Sequence, residues 1–352
     1  MAVSISGAVK RFDGRAAVDG VSVEIADGDF FVALGPSGCG KSTLLRLIAG
    51  LETLDAGRIA LDGAPVAGPG LHVAPEARRV GVVFQSYALW PHMSVAGNVA
   101  FPVEATGGGR AEARREAERC LRAVALEEYA ARRPAALSGG QRQRVALARC
   151  LASRARTVLM DEPLANLDPH LRAAMEDELA DFHRRSGATT LYITHDQREA
   201  MALGDRVAVM RAGRFEQVAP PEEIYARPAT EHVARFIGRA AIAPAEILSA
   251  ESGRARARLG PAEIEIACPP GARPGPARVV LRPEDTAFAA ESDGAAAPAR
   301  ILSASYRGGV WEASASVDGL AEAAPVVSRA RLRAGETARL RLTGGWALPE
   351  AA

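Results

Sequence analysis

Apolar and polar positions alternate through the first 34 residues in three runs, VSISGAVKRF, AAVDGVSVEI and the denser DFFVALG. A period of two predicts strands. The last run ends in GPSGCGKST and passes directly into LLRLIAG, which is apolar on most sides and bounded by Gly50. Strand, glycine loop and buried helix are therefore expected in succession. Further strands are predicted at about 57–62 (GRIALDG) and 79–84 (RVGVVF). Over 94–155 the period changes: Ala117, Leu121 and Val124 share one helical face, Arg and Glu take the other, and TGGGR (106–110) is a loop before that helix. From 157 the α/β alternation resumes with the short strand TVLM. Asp168-Pro169 is a good helix start, because aspartate caps and proline suits the first turn. The buried face of that helix is expected to be Leu171, Met175, Leu179 and Phe182. Strand TLYIT, helix 196–203 and strands RVAVM and RFEQVA follow, and the helical stretch PEEIYARPATEHVARFIG closes a first domain near Gly238.

After Gly238 the texture is different. ARARLG, AEIEIAC, ARVVLRPED, YRGGVWEASASV and GETARLRLTGG are short alternating segments separated by Gly and Pro. They predict a small all-β domain over 239–352, a barrel or sandwich. At 352 residues the chain suits two domains of roughly 150 residues or more. Lys+Arg (43) and Asp+Glu (42) nearly cancel, so the basic excess of a nucleic-acid clamp is missing and no nucleic-acid partner is expected. No apolar run reaches the roughly 18 residues of a membrane span. Cys39, Cys120, Cys150 and Cys268 have no metal-ligand spacing, which suits reduced thiols. Lys10 and Lys41 are the only lysines, beside 41 arginines.

The scarcity of lysine sharpens one motif. Gly35-Pro36-Ser37-Gly38-Cys39-Gly40-Lys41-Ser42 fits G-x-x-x-x-G-K-[ST] between a strand and a helix. Glycines let main-chain N–H groups turn inward around a β-phosphate, and the helix N-terminus adds a favourable dipole. Lys41 then reaches the β- and γ-phosphates, and Ser42 offers a hydroxyl to Mg²⁺. Cys39 inside this loop is either a small residue that fits or an oxidation-sensitive thiol. A second signature, Val158-Leu159-Met160-Asp161-Glu162, is an apolar strand delivering two carboxylates, one for Mg²⁺ and one to polarise an attacking water.

Between the two lies Leu137-Ser138-Gly139-Gly140-Gln141, followed by RQRVALARCLA. With it the sequence resembles the nucleotide-binding subunits of ABC transporters over residues 1–238, with a helical subdomain at about 94–155. That fold is a P-loop ABC ATPase domain with a mixed sheet core. The resemblance implies ATP and Mg²⁺ as cofactors. It places Phe12 against adenine and the phosphates on residues 35–42 and Thr43. It assigns the metal to Ser42, Asp161 and Gln85 (the Q-loop), and makes Glu162 and His195 the catalytic pair. Ala165-Asn166-Leu167-Asp168 matches the D-loop. Ser138, Gly139, Gly140 and Gln141 would face the ATP of a partner copy, so that two chains close over two nucleotides. The helix led by Ser138 has Val145, Ala148 and Ala152 on its buried face, and its N-terminal dipole suits a γ-phosphate. By spacing alone Tyr87, Leu89, Trp90, Pro91 and Met93 suit ordinary core no better than a docking face; the resemblance makes them the groove for a permease helix.

Arg282-Pro283-Glu284 and YRGG before WEASASVDG resemble the TOBE-type, OB-like tail of importer ATPases, expected to pack as a dimer wall or to sense a ligand. The resemblance as a whole implies an ATP-driven energy-coupling subunit of a solute importer. It would be a homodimer through the ATP sandwich and the C-terminal domain, bound to membrane permease subunits and served indirectly by a solute-binding protein. Its place would be peripheral, on the cytoplasmic face of the inner (cell) membrane. The cargo suggested is ferric iron or a polyamine-like solute; sugar, sulfate or phosphonate import is the alternative. A soluble, non-transport ABC ATPase is the reading from a different class.

Overall fold

The computed structural model describes residues 1–349 apart from Asn166 and Asp168, with no side-chain description at 169–171. The D-loop positions Asn166 and Asp168, the Asp168 cap and Leu171 of the expected helix face therefore lie outside the described residues. Two compact units divide at Pro221/Glu222.

In the first unit the fully buried run Phe30–Leu34 is a central strand, as its unbroken apolar sequence requires of a parallel sheet covered on both faces. It belongs to a six-stranded sheet in the order Arg214–Ala219, Arg206–Arg211, Phe30–Leu34, Thr189–Thr194, Thr157–Asp161, Val80–Val83. Only the first pair is antiparallel. A second sheet, antiparallel, runs Arg15–Ile25, Val3–Phe12, Ala56–Leu61, Ala64–Gly68, Leu71–His72. The helix Lys41–Ala49 buries Leu44, Leu45, Leu47 and Ile48 in one core with both sheets. A separate core is built by helices Val95–Ala105, Arg110–Ala123 and Gly139–Ser153, with Ala117, Leu121, Val145, Ala148 and Ala152 inside it. On the helix Pro169–Ser186, Met175, Leu179 and Phe182 are buried as their spacing predicts.

Arg78 fastens the end of the Lys41–Ala49 helix. Its buried guanidinium donates to the carbonyls of Leu47 (2.7 Å), Ile48 (2.9 Å), Val66 (3.2 Å) and Val73 (2.8 Å). One charge thereby ties carbonyls at the helix C-terminus to the strand Ala64–Gly68 and the segment after it, the Leu47 and Val66 carbonyls sharing it with a main-chain N–H.

The second unit contains a closed five-stranded barrel, in the order Ala241–Glu251, Arg254–Leu259, Ala262–Ala267, Trp346–Ala347, Gly275–Leu281. A five-stranded sheet accompanies it: Thr286–Phe288, Thr337–Leu342, Ala297–Tyr306, Trp311–Val317, Ala324–Ser328. Of the two architectures expected for the tail, the barrel is the one present, with a single sheet beside it in sequence.

The sequence boundary at Gly238 differs from the structural one, and the reason is Arg282. Its buried guanidinium donates to the carbonyls of Tyr225 (3.0 Å), Ala234 (3.0 Å), Ile237 and Arg239 (3.2 Å), and it stacks on the Tyr225 ring. The Trp346 indole N–H donates to the Pro228 carbonyl at 3.0 Å. These bonds group the short helices Pro221–Ala226 and Glu231–Phe236 with the barrel, although their texture continues the helical pattern before them.

Candidate nucleotide site

Four parallel strands end at one edge of the six-stranded sheet. Leu34 pairs with Thr194, Ile193 with Asp161, and Met160 with Val83. The segments that follow therefore emerge side by side: the glycine loop after Leu34, His195 after Thr194, Glu162 after Asp161, and Gln85 two residues past Val83. Ligands of α/β sheets bind outside the carboxyl ends of the strands.

The glycine loop has no room for side chains at two points. A Cβ on Gly35 would meet the Met210 carbonyl oxygen at 2.3 Å, and one on Gly40 would meet that of Ala17 at 2.0 Å. Gly40 also has φ 111°, which favours glycine. No side chain caps the helix Lys41–Ala49, so its first-turn N–H groups are left to an anion. Lys41 is only 5% exposed, and its ammonium donates to the carbonyls of Gly35 (2.7 Å) and Pro36 (3.1 Å) inside the loop. An uncapped helix tip, closely packed glycines and an inward lysine fit a phosphate chain. Pro36, Ser37 and Gly38 form the exposed rim of the loop, while Ser42 and Thr43 are half-buried. Cys39 is buried, and burial pushes its thiol pKa up against the pull of Lys41, which supports the small residue that fits.

Ser42 Oγ donates to Asp161 Oδ1 at 2.9 Å, across the sheet edge. Burial raises the Asp161 carboxyl above its usual range; the Ser42 hydrogen bond opposes the rise and the Glu162 charge adds to it. A hydroxyl and a carboxylate are hard oxygen donors and fit Mg²⁺, which offsets phosphate charge when bound. Glu162 stands next, in the left-handed region at φ 45°, with its N–H on the Ile193 carbonyl at 3.0 Å. Its Oε2 lies 3.0 Å from His195 Nδ1, so the structure joins the two residues expected to act together. Gln85 is exposed at the same edge. Phe12, 45% exposed, ends a hairpin strand at Asp13-Gly14, and the Lys10 ammonium is 5.2 Å from its ring centre. Ala17, on the returning strand Arg15–Ile25, is the residue that crowds Gly40, so the Phe12 hairpin lies over the glycine loop.

Lys10 is buried as well, with Glu52 at 2.8 Å and Asp55 at 3.6 Å. Its pKa is raised, chiefly by the Glu52 hydrogen bond.

Ser138 caps the helix Gly139–Ser153 in a reciprocal box: Gln141 N–H donates to Ser138 Oγ (3.3 Å), and Ser138 N–H donates to Gln141 Oε1 (2.9 Å). Ser138 is exposed, Gly139 and Gln141 are half-buried and Gly140 is buried. These hydrogen bonds are internal to the motif, so within one copy they do not tie it to the Lys41 loop.

The 87–93 run divides. Tyr87 is only 5% exposed, so it does not present its ring as a docking contact, contrary to the expectation for it. The cause is Arg149, whose guanidinium donates to the carbonyls of Tyr87 (3.0 Å) and Ala88 (2.7 Å) and holds both in the left-handed region. Leu89 packs against the helical core. Trp90 lies 4.3 Å from the Phe101 ring and under Arg149, Pro91 is exposed and Met93 half-buried. Arg149, Glu199 and Arg172 are structural partners of the site that sequence reasoning missed. An arginine eight places past an ABC signature or a glutamate four past a histidine gives no signal without the packing.

Comparison with known proteins now adds to the geometry. A family model described as ABC transporter matches residues 18–165. The spermidine/putrescine import ATP-binding protein PotA 2 of Pseudomonas aeruginosa is 45% identical over 314 residues, covering 88% of this chain and 85% of that protein. The chain belongs to the ATP-binding proteins of ABC transporters. Within this family, sn-glycerol-3-phosphate import ATP-binding protein UgpC 1 of Rhizobium johnstonii is 50% identical over 68% of the chain, which spans 64% of that relative's length. Among solved structures, the dimeric post-hydrolysis ATP-binding cassette MJ0796 with ADP and Pi superposes with a TM-score of 0.55 at 30% identity, over 62% of this chain and 98% of that one. The ABC ATP-binding fold and the binding of ATP follow from membership. Among the described residues, no helix is long and apolar enough to cross a membrane.

Proposed function

We propose that this ABC protein is the ATP-hydrolysing, energy-coupling subunit of a solute importer, working as a pair of copies on the cytoplasmic face of the cell membrane. The observation that carries the reading is the Glu162–His195 hydrogen bond at 3.0 Å, set beside the Ser42–Asp161 pair at one sheet edge. Lys41 and the N–H groups of the loop hold the β- and γ-phosphates; Phe12 stacks on the base. Ser42, Asp161 and Gln85 hold Mg²⁺. Glu162 accepts a proton from the attacking water, and His195 keeps its carboxylate turned to that water and reaches the γ-phosphate. The exposed Ser138 tip of a second copy closes the site from the other side, through its helix N-terminus. The C-terminal unit adds a second dimer contact. Leu89, Trp90, Pro91 and Met93, with the exposed Phe101, receive a helix of the permease, and a solute-binding protein supplies the cargo.

For that cargo the reading is a polyamine-class solute. The alignment with a protein named for spermidine and putrescine import runs into the C-terminal unit, over 314 residues. A glycerol-3-phosphate importer subunit is similar over a shorter stretch, so that class is second. Neither name carries ferric iron, which therefore falls behind both.

The test is Glu162→Gln. Turnover should fall by about 100-fold or more, as expected when a general base is lost. With saturating ATP and Mg²⁺ the variant should run as a dimer in light scattering. A variant that stays monomeric under those conditions would sink the two-copy reading. Uptake of labelled spermidine, lost on deletion and restored by the wild type alone, tests the cargo.

A further inference from the structure

Among the described residues His195 is held by one side-chain bond, to Glu162, yet both of its neighbours in sequence are locked. Thr194 donates its hydroxyl to the buried Glu199 at 2.6 Å and accepts the Asp196 N–H at 2.9 Å. Tyr192 donates to the same Glu199 oxygen at 2.8 Å. Asp196 caps the helix Gln197–Leu203 by accepting the Arg198 N–H at 2.8 Å.

Behind this loop stands Arg172, near the start of the helix Pro169–Ser186. Its Nη1 donates to Asp196 Oδ2 at 3.2 Å, its Nη2 donates to the Leu167 carbonyl at 3.3 Å, and its Nε lies 3.9 Å from Glu199 Oε1. Leu167 ends the turn that begins at Glu162, where Ala165 N–H returns to the Glu162 carbonyl (3.2 Å) and Leu167 N–H to that of Leu164 (3.1 Å). Leu167 also lies against the signature helix, since a Cβ on Gly139 would touch its side chain at 3.4 Å. One planar fork thus spans the turn that carries Glu162 and the loop that carries His195. The side chains of Arg172, Asp196 and Glu199 are 23%, 19% and 5% exposed, so water screens these contacts less than it does a surface pair. Glu176 also faces the cluster: burial and the Glu199 charge raise its pKa, and Arg172 opposes the rise. A lysine, with a point charge on a flexible stem, cannot reproduce two fixed arms at this site.

We propose that Arg172 is a positioning residue for ATP hydrolysis, one that sets the Glu162–His195 hydrogen bond by tying the Leu167 turn to the Asp196 loop while touching neither partner. The inference rests on the reading above that Glu162 and His195 act together.

Steady-state ATP turnover of the full chain tests it. Arg172→Gln should lower kcat by about 10- to 100-fold, the range expected when reacting groups shift by about 1 Å, with KM for ATP within about twofold. Arg172→Lys should keep the charge and still lose most of the rate, and it replaces the glutamine variant if that one does not fold. Arg198→Gln, which reaches Asp196 from solvent, should change kcat less than about twofold. In a His195→Ala background, single-turnover measurement of the residual rate should show no further loss from Arg172→Gln. An unchanged kcat, a full rescue by lysine, an equal loss from Arg198→Gln, or an additive loss in that background overturns the proposal. If His195→Ala alone leaves turnover intact, the reading of the catalytic pair is what fails.

Discussion

Asp161 carries its charge against its surroundings. Burial raises its carboxyl pKa, more than the Ser42 hydrogen bond lowers it. A raised folded-state pKa means the folded chain binds the proton more tightly, so the contribution to stability is present at low pH and lost as pH rises through the folded pKa. At pH 7 the ionised carboxylate therefore weakens the metal-free fold. Asp161→Asn should raise the urea midpoint of the metal-free chain at pH 7, and the gain should shrink as pH falls into the carboxylate range. The same variant should lose Mg²⁺-dependent turnover by about 100-fold or more. Stability given up at a working position is a common pattern. At this scale the sequence was most legible where chemistry restricts residue type: Lys41, Ser42, Asp161, Glu162 and His195 meet at one edge as their motifs predict. Arg149 was illegible because its partners are main-chain carbonyls, which leave no mark in a sequence, and Arg172 because its carboxylate partners lie more than twenty residues away on another element. Tyr87 is buried, as spacing alone allowed, and not presented as the resemblance implied.

The helix Lys41–Ala49 depends on a residue 29 positions beyond its end, Arg78. Removing that guanidinium takes a donor from four carbonyls; those of Leu47 and Val66 keep a main-chain N–H, while those of Ile48 and Val73 lose a charged partner. Arg78→Leu should cost about 3 kcal/mol in urea unfolding, with an unchanged slope, because buried acceptors stripped of a charged partner are expensive. Loss of less than about 1 kcal/mol would mean that water replaces the guanidinium there. Elements with a strong period were read correctly: the all-buried Phe30–Leu34, the helix face of Met175, Leu179 and Phe182, and the five-residue run Thr157–Asp161. The strands Ala64–Gly68 and Leu71–His72 were not foreseen. Only Val66 and Ala67 of these seven residues are buried, so there was too little alternation to see.

For the molecule as a whole, the expected boundary at Gly238 and the structural one at Pro221 lead to different fragments. A piece beginning at Glu222 keeps Tyr225, Ala234 and Ile237 as acceptors for Arg282, and Pro228 for Trp346. One beginning at Arg239 strands a buried guanidinium. The longer fragment should give a dispersed NMR spectrum and a cooperative melt; the shorter should be less stable by about 3 kcal/mol or fail to fold. Equal stability of the two would place the boundary back at Gly238. The two lysines raise a matter of charge at the same scale. Both are enclosed, one by carboxylates and one by the glycine loop, so guanidinium supplies the side-chain cations of the exterior. Ammonium groups discharge above about pH 10, whereas guanidinium does not. In alkaline solution this exterior keeps the positive half of its electrostatic field after a lysine-bearing surface would have gone neutral.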